Sequence, residues 1–584
     1  MPRFLVHPCP PVSRTIHAGQ LALDFSPLDG DLRYVRTATL ELIRRIYFVA
    51  RDRNWLNIPQ HLSPPRMRTT SGGFTLTSDG QSRGPGVHLA FQVHIEGTSD
   101  GTVSFSVAGR ALKDSVTNRA GLCVHLPLEG FAGARYELVT GSGAREKLTL
   151  PFDVAPHQPC TDIRVLRFAL PRRHGLELTF AGEAFEIEDQ RNWIDGSFKI
   201  YSRPLARGYP YSIEAGETFA QSVNLRLLGS RGQITAQPSR TEPVTIRLGK
   251  KSLHAAPALG LGLPRDCASA TTSEAAALAI LGVAHLRADI DDFGRSLATR
   301  VRRAAVAAVQ LGAPLELAVT PGKRTPARNL EKLARALRTA GARVARVLVY
   351  GPNGHCLDSH STLAAARQHF GAACAAGTDF NFAELNRGRP RLPAARAVTF
   401  AANPQVHASD EASIAECLEG LGQSLRSACH YFPRASVGVS RLTLRPQKSA
   451  VATASSPSDD ARRFDPRQSS EWCAAWTVGA LGALQTAGAS WATLYETTGP
   501  GGVVAGARVF PIHRVLADYL ACGRAAVREL TISEPLRVAG WAREGCVVLA
   551  NLTAKPARVV LHGLSARSPR TLRLGRYGYA KILL

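Results

Sequence analysis

The chain has 584 residues, so one hydrophobic core cannot serve it, and three or four domains are expected. Its 45% hydrophobic and 20% charged content is ordinary globular composition, and the formal net charge of +25 is scattered arginine rather than a dense basic tract with interleaved aromatics, which argues against nucleic acid as a partner. The 11 cysteines form no CxxC pair, the N-terminal stretch lacks a signal-peptide apolar core, and no run reaches the ~18 apolar residues of a membrane span. The expectation is a soluble cytoplasmic protein with no disulfide framework, no zinc ribbon and no membrane association.

Residues 1–248 read as a β-sandwich domain. Gln20–Phe25, Glu41–Arg51, Gly86–Glu96, Thr102–Ala108, Leu122–Leu128, Glu137–Thr140, Asp162–Leu170 and Gly175–Phe180 are short runs separated by turn residues. Several alternate apolar and polar, as in VSFSVAG, which suits strands with one buried face. Gly97–Thr98–Ser99–Asp100–Gly101 matches GxSxG, but it lies between two alternating strands and reads as a hairpin turn. Near the end of the domain, Glu186–Leu205 reads EIEDQRNWIDGSFKIYSRPL and crowds Glu188, Asp189, Arg191, Trp193, Asp195 and Lys199 together. It is either a solvated loop with internal ion pairs, which contribute little, or a polar arm reaching another domain's site.

Residues 249–522 change character. Apolar strands alternate with Ala/Leu/Arg-rich helices such as SLATRVRRAAVAAVQLG, NLEKLARALRTAG and EWCAAWTVGALGALQTAG. The strands are Ala258–Leu263, Ala284–Asp289, Leu315–Thr320, Arg346–Tyr350, Asp379–Glu384, Ala397–Ala402, Ser436–Leu444 and Trp491–Glu496. Eight such repeats predict a (β/α)8 TIM-type barrel rather than an open doubly wound sheet, for which GxGxxG is also missing. Pro446–Gln468 reads as a long loop at the barrel mouth. Residues 523–584 return to β, with LRVAGWAR, GCVVLANLT and ARVVLHGL, and predict a small C-terminal β-sandwich docked on the barrel.

Barrel chemistry sits at the C-terminal ends of the strands. Those ends supply Arg287 and Asp289, Tyr350 and Asn353, Asn381 and Glu384, Asn403 and His407, Arg441 and Arg445, and Tyr495 and Glu496. So many polar groups at one end suit a polyhydroxylated ligand. Two carboxylates across a cleft can divide the work of acid and base, either for a glycosidic bond or for a lactone. The expected catalytic pair is Glu384 and Glu496. The expected substrate contacts are Asp289, Arg287, Asn381, Asn403, His407, Arg441, Arg445, Tyr495, Arg191, Trp193, Asp195 and Lys199. No HxH or HExxH spacing calls for a metal, and no cofactor is expected.

Five stretches carry a resemblance. They are DGDLRYVRTATLELIRRIYFVARDRNW, EDQRNWIDGSFKIYSRPLA, GTDFNFAELNR, ANPQVHASDE and LYETTGPGGV. Together they resemble the D-apionate lactonases. The resemblance implies a β-domain, barrel, β-domain protein whose barrel is similar to those of clan A glycoside hydrolases. It also implies hydrolysis of a branched-pentose aldonolactone, with a small carbohydrate lactone as partner, and it matches Glu384 and Glu496 to the two barrel glutamates. Clan A barrels carry the acid/base after strand four and the nucleophile after strand seven, whereas here the glutamates fall on strands five and eight. Either one strand too many is counted near Ala258, or the pair is not equivalent to a glycosidase pair.

Overall fold

The computed structural model describes residues 13–171, 174–228, 243–389, 395–448, 463–563 and 569–584. They form two compact units. The first takes most of residues 13–228, and the second takes residues from 243 onward together with the short segment Arg191–Asp195.

In the first unit seventeen described strands join edge to edge through hydrogen bonds. The period-two pattern decides which residues go inside. In Val87–Gly97 the inward set is Val87, Leu89, Phe91, Val93 and Ile95, and in its antiparallel neighbour Thr102–Ala111 it is Val103, Phe105 and Val107. The register sets Ile95 opposite Phe105 and Val93 opposite Val107, so both apolar sets face one core. Each such side chain contributes about 1.5–3 kcal/mol by leaving water. Thr98–Gly101 is the tight turn between these strands, with the Thr98 amide donating to the Thr102 carbonyl, so the GxSxG stretch is a hairpin turn.

The second unit is built on a closed barrel of eight parallel strands. In order these are Ala258–Gly262, His285–Ile290, Leu315–Val319, Val344–Tyr350, Cys374–Gly377, Ala397–Ala402, Ser436–Leu442 and Trp491–Glu496. Strand one pairs with both strand two and strand eight, so the strand at Ala258 is a genuine barrel member. Strand five is a correction. It is Cys374–Gly377, and the stretch expected as strand, DFNFAE, instead leads into a helix, Phe382–Gly388.

Two glycines make room inside the barrel. A Cβ on Gly260 would lie 2.3 Å from the His285 ring, and one on Gly438 would lie 1.9 Å from the Trp491 ring. Larger residues there would displace rings that fill the barrel interior.

The C-terminal strands form one seven-stranded sheet, in the order Arg570–Leu574, Ala557–His562, Val244–Ala255, Ala526–Ile532, Val538–Arg543, Cys546–Asn551, Tyr579–Leu583. The strand before the barrel, Val244–Ala255, therefore belongs to the same sheet as the strands after it. The sheet packs on the barrel helix Glu471–Thr486. There Gly482 approaches the Gly540 carbonyl, and Gln485 donates to the Ala542 carbonyl at 3.1 Å while its own Oε1 accepts from Arg543 Nε at 3.1 Å. No described helix is long and apolar enough to cross a membrane.

Candidate active site at the barrel mouth

Alternation along strand two sends His285, Arg287 and Asp289 to one side of the strand, and they form successive layers of polar contacts. In the deepest layer Glu316 of strand three is fully buried. It accepts from Ser440 Oγ at 2.6 Å, Thr493 Oγ1 at 2.6 Å and Arg346 Nη1 at 2.7 Å. Burial pushes its carboxyl up, but His285, Arg346 and the two hydroxyls outweigh that and hold it below the ordinary value. Burial holds the His285 imidazole below its ordinary value, and its Nε2 lies 2.8 Å from Thr493 Oγ1.

One layer up, buried Arg287 joins three partners. Its Nη2 donates to Asp379 Oδ1 at 2.5 Å and to Asp289 Oδ1 at 2.9 Å, and its Nη1 donates to Ser440 Oγ at 3.0 Å. Asp289 also accepts from Arg441 Nη1 at 2.8 Å, and Asp379 pairs with Lys448 Nζ at 2.9 Å. Burial works against ionisation of both aspartates, but the surrounding cations prevail and hold both carboxyls below the ordinary range. The group thus carries three cations (Arg287, Arg441, Lys448) against two carboxylates. It keeps one surplus positive charge at the mouth, where an oxyanion or carboxylate would be stabilised.

Glu496 owes its position to a bulge. Strand one pairs Leu261 with Leu494 and then Gly262 with Glu496, so Tyr495 is skipped. Tyr495 takes a left-handed backbone conformation, φ 46°, and a Cβ on Gly262 would lie 2.7 Å from the Tyr495 carbonyl oxygen. In the strict period of two, Trp491, Thr493 and Tyr495 would share one face and Glu496 the other. The bulge breaks that pattern. The Tyr495 hydroxyl meets Thr477 Oγ1 at 2.7 Å on the helix Glu471–Thr486, and Glu496 lines the cleft. Its side chain is 13% exposed, and Arg463 Nη2 lies 3.7 Å from its Oε1. Burial raises the carboxyl to about 7 despite the downward pull of Arg463 and Arg441.

The cleft at Glu496 is bordered by Arg441, Arg445, Gln447, Arg463 and Gln468 and, with the solvent at its mouth, spans about 300 Å³. A second opening of about 230 Å³, bordered by Asp379, Asn381, Asn403 and Lys448, shares Arg441, Thr443 and Gln447 with it. Asn381 Nδ2, Asn403 Oδ1 and Tyr350 Oη are buried with no hydrogen-bond partner among the described residues. Buried polar atoms in this state call for a ligand or water that brings hydroxyls.

The structure distributes the other expected residues as follows. Glu384 sits in the first turn of the helix Phe382–Gly388, not at a strand end, with its Oε2 3.3 Å from His355 Nδ1. It borders neither of the two openings above. His407 Nδ1 lies 2.8 Å from Asp195 Oδ2, and the Trp193 ring meets the His407 ring edge-on at 5.6 Å. The Arg191 carbonyl accepts from Ser424 Oγ at 2.5 Å, and Asn386 Nδ2 donates to Asn192 Oδ1 at 3.0 Å. The Arg191–Asp195 turn thus packs on the helices Phe382–Gly388 and Glu411–Tyr431 and on His407. Lys199 does not go with it. It is buried in the first unit, 3.0 Å from Glu188. Arg445 Nε lies 3.6 Å from Asp465 Oδ2 at the cleft edge. Tyr495 borders the cleft, but its hydroxyl is committed to the helix behind, so it offers no hydroxyl to a substrate.

Asp379, Lys448, Arg463 and Gln447 border the two openings and are absent from the expected set. Asp379 is the first residue of the expected strand Asp379–Glu384, at the end away from the barrel mouth. Lys448 and Arg463 lie within the Pro446–Gln468 loop, of which 449–462 is outside the described residues. With strand one confirmed, the two glutamates follow strands five and eight. Strands four and seven end instead in Tyr350 and at Arg441–Leu442, so no carboxylate occupies those positions.

Fold and site together define a TIM-barrel protein with a β-rich N-terminal unit, with carboxylates and cations gathered at the barrel mouth. Comparison with known proteins gives the family. Residues 2–230 match the N-terminal domain of D-apionate lactonase, and residues 259–524 match its TIM barrel domain. The chain belongs to the D-apionate lactonase family. A D-apionate lactonase of Brucella anthropi is 27% identical over 571 residues, covering 93% of each chain. Among solved structures, a GH30 endoxylanase from Clostridium papyrosolvens is 11% identical with a TM-score of 0.38, over 59% of this chain and 97% of that one. N2152 from Neocallimastix frontalis is 10% identical with a TM-score of 0.41, over 59% and 96%. Neither likeness bears on the chemistry.

Proposed function

We propose that the chain hydrolyses a sugar-acid lactone, converting D-apionolactone to D-apionate in the breakdown of a branched pentose. The observation that carries this reading is Glu496, a desolvated carboxyl beside Arg441 at the end of barrel strand eight, in a chain of this family. In the proposed reaction the Glu496 carboxylate takes a proton from water as the water oxygen bonds to the lactone carbonyl carbon. The carbonyl oxygen becomes an oxyanion beside Arg441 and Lys448. As the tetrahedral species collapses, the bond between the carbonyl carbon and the ring oxygen breaks. The proton held by Glu496 passes to that oxygen, giving an alcohol and a carboxylic acid that ionises. A carboxyl near 7 suits both halves of this transfer at neutral pH. Asn381 and Asn403, which border the second opening, would pair with sugar hydroxyls. Glu384, paired with His355 outside the two openings, is a second acid/base candidate.

A substrate panel tests this reading. Proton release in weak buffer is followed with D-apionolactone, other five-membered aldonolactones and aryl glycosides. Acid release from the lactone with no aryl release is the expected result. Aryl release without lactone turnover would overturn it in favour of a glycoside hydrolase.

A further inference from the structure

The first unit contains a buried arginine that the barrel chemistry does not use. Arg119 begins the strand Arg119–Pro127 and is 4% exposed. Its guanidinium carbon lies 3.7 Å from the centre of the Tyr201 ring and 5.4 Å from that of Trp55. Its Nε is buried without a partner, and no hydrogen bond or ion pair reaches its guanidinium among the described residues. Directly opposite on the neighbouring strand stands Arg51, 5% exposed. Arg51 Nη1 donates to the Trp55 carbonyl at 2.9 Å, and its Nε is likewise buried without a partner. Lys199 lies on the strand flanking the other side, with its Nζ 5.1 Å from the Tyr201 ring centre.

These three cations share one sheet face. The nearby carboxylates are already engaged. Glu188 pairs with Lys199 at 3.0 Å, and Glu186 Oε1 accepts from the Tyr201 hydroxyl at 2.5 Å and from the Leu205 amide at 2.9 Å. Like charges opposed on adjacent strands repel, and burial works against the Arg119 charge, although neighbours including Tyr201 and Glu188 outweigh it and hold the group above its ordinary value. A cation–π contact offsets part of that cost but satisfies none of the guanidinium N–H donors. Beside the arginines stands an aromatic rim. Trp55 has a left-handed backbone, φ 65°, and packs edge-on at 4.9 Å against Tyr209, which is 50% exposed. A non-glycine residue held in that region is a strained placement that marks functional positions.

We propose that Arg119 and Arg51 form a binding site in the first unit for a sugar acid, with its carboxylate against the two guanidinium groups and its carbon face against Trp55. The planar N–H fork of arginine matches a carboxylate, and the indole face matches a sugar ring or chain. The choice of an aldonate as ligand rests on the lactonase reading above. The site itself rests on Arg119, whose guanidinium has no hydrogen-bond partner among the described residues, and on the unfilled Nε of Arg51.

The test is calorimetric titration of the full chain with sodium D-apionate and, separately, inorganic phosphate. It is run on the wild type, Arg119→Met, Arg119→Lys and Trp55→Ala, with lactone turnover assayed on the same preparations. The expected result is an aldonate-binding event that weakens by about tenfold or more in Arg119→Met and Trp55→Ala and is partly kept in Arg119→Lys, with kcat on the lactone unchanged. The ligand-free Arg119→Met protein should melt close to the wild type, because no hydrogen bond or ion pair among the described residues is lost. An isotherm for Arg119→Met that superimposes on the wild type would overturn the site. So would a fall in ligand-free melting temperature that Arg119→Lys restores, since that marks a structural arginine. Phosphate binding as tight as aldonate binding, with the same dependence on Arg119, would overturn the sugar-acid assignment. Failure of the lactonase reading shows separately, as a wild-type protein that turns over no lactone.

Discussion

The pH dependence of catalysis follows from Glu496 and one neighbour. If the ionised carboxylate is the base, kcat/KM rises with pH through about 7 and then levels off. Arg463 holds that value down from 3.7 Å away. At that distance the attraction is about 4 kcal/mol at an effective dielectric near 20 and about 1 kcal/mol in bulk water. Both side chains are partly exposed, 13% for Glu496 and 22% for Arg463, which places the interaction toward the lower figure. At about 1.4 kcal/mol per pH unit, Arg463→Met should raise the midpoint by about one unit, to near 8. The assay is a pH–rate profile of lactone hydrolysis from pH 5 to 8.5, corrected for spontaneous opening of the lactone. A midpoint near the ordinary carboxyl value, or one that does not move in Arg463→Met, would refute the assignment of Glu496 as a desolvated base held down by Arg463.

Three further outcomes are expected. Because the folded carboxyl of Glu496 lies near 7, above its ordinary 4.5, the stability it contributes is present below pH 4.5 and is lost as pH rises through 7. Glu496→Gln should therefore melt higher than the wild type at pH 8, by an amount corresponding to at most about 3 kcal/mol, and equally at pH 4.5, as read by thermal melts at the two pH values. Asp379→Asn leaves Arg287 and Lys448 without a main counter-charge in a buried setting and should cost about 3–5 kcal/mol of stability, seen as a lowered melting temperature with a weakened KM. Tyr495→Phe loses the contact with Thr477 and should cost about 1 kcal/mol, with kcat within about twofold of the wild type, since the hydroxyl points away from the cleft.

The barrel was legible because its strands are short apolar runs set between long Ala/Leu/Arg helices, a rhythm that a (β/α)8 fold imposes locally. Strand five escaped because CAAG has no β-branched or aromatic residue, while the DFNFAE that follows looks like a strand and instead leads into the helix Phe382–Gly388. That error carried Glu384 to a strand end and hid Asp379. The side of the strand that Glu496 faces could not be read from the pattern, because period two gives that face to Tyr495. Only the bulge, which depends on the pairing with Gly262, reverses the two. Lys448 and Arg463 sit in a polar loop whose composition says nothing of where it folds back. The EDQRNW segment was left open between solvated loop and polar arm. The structure divides it, with Arg191–Asp195 joining the barrel unit and Lys199 remaining in the first-unit sheet.

The central claim is that Glu496 moves the proton in lactone hydrolysis. Single-turnover hydrolysis of D-apionolactone by the wild type, Glu496→Gln and Glu384→Gln tests it most directly. The account predicts a loss of about 10²–10⁴-fold in Glu496→Gln, the range expected for removing a general base, and a smaller loss in Glu384→Gln. Hydrolysis by Glu496→Gln at the wild-type rate would contradict it.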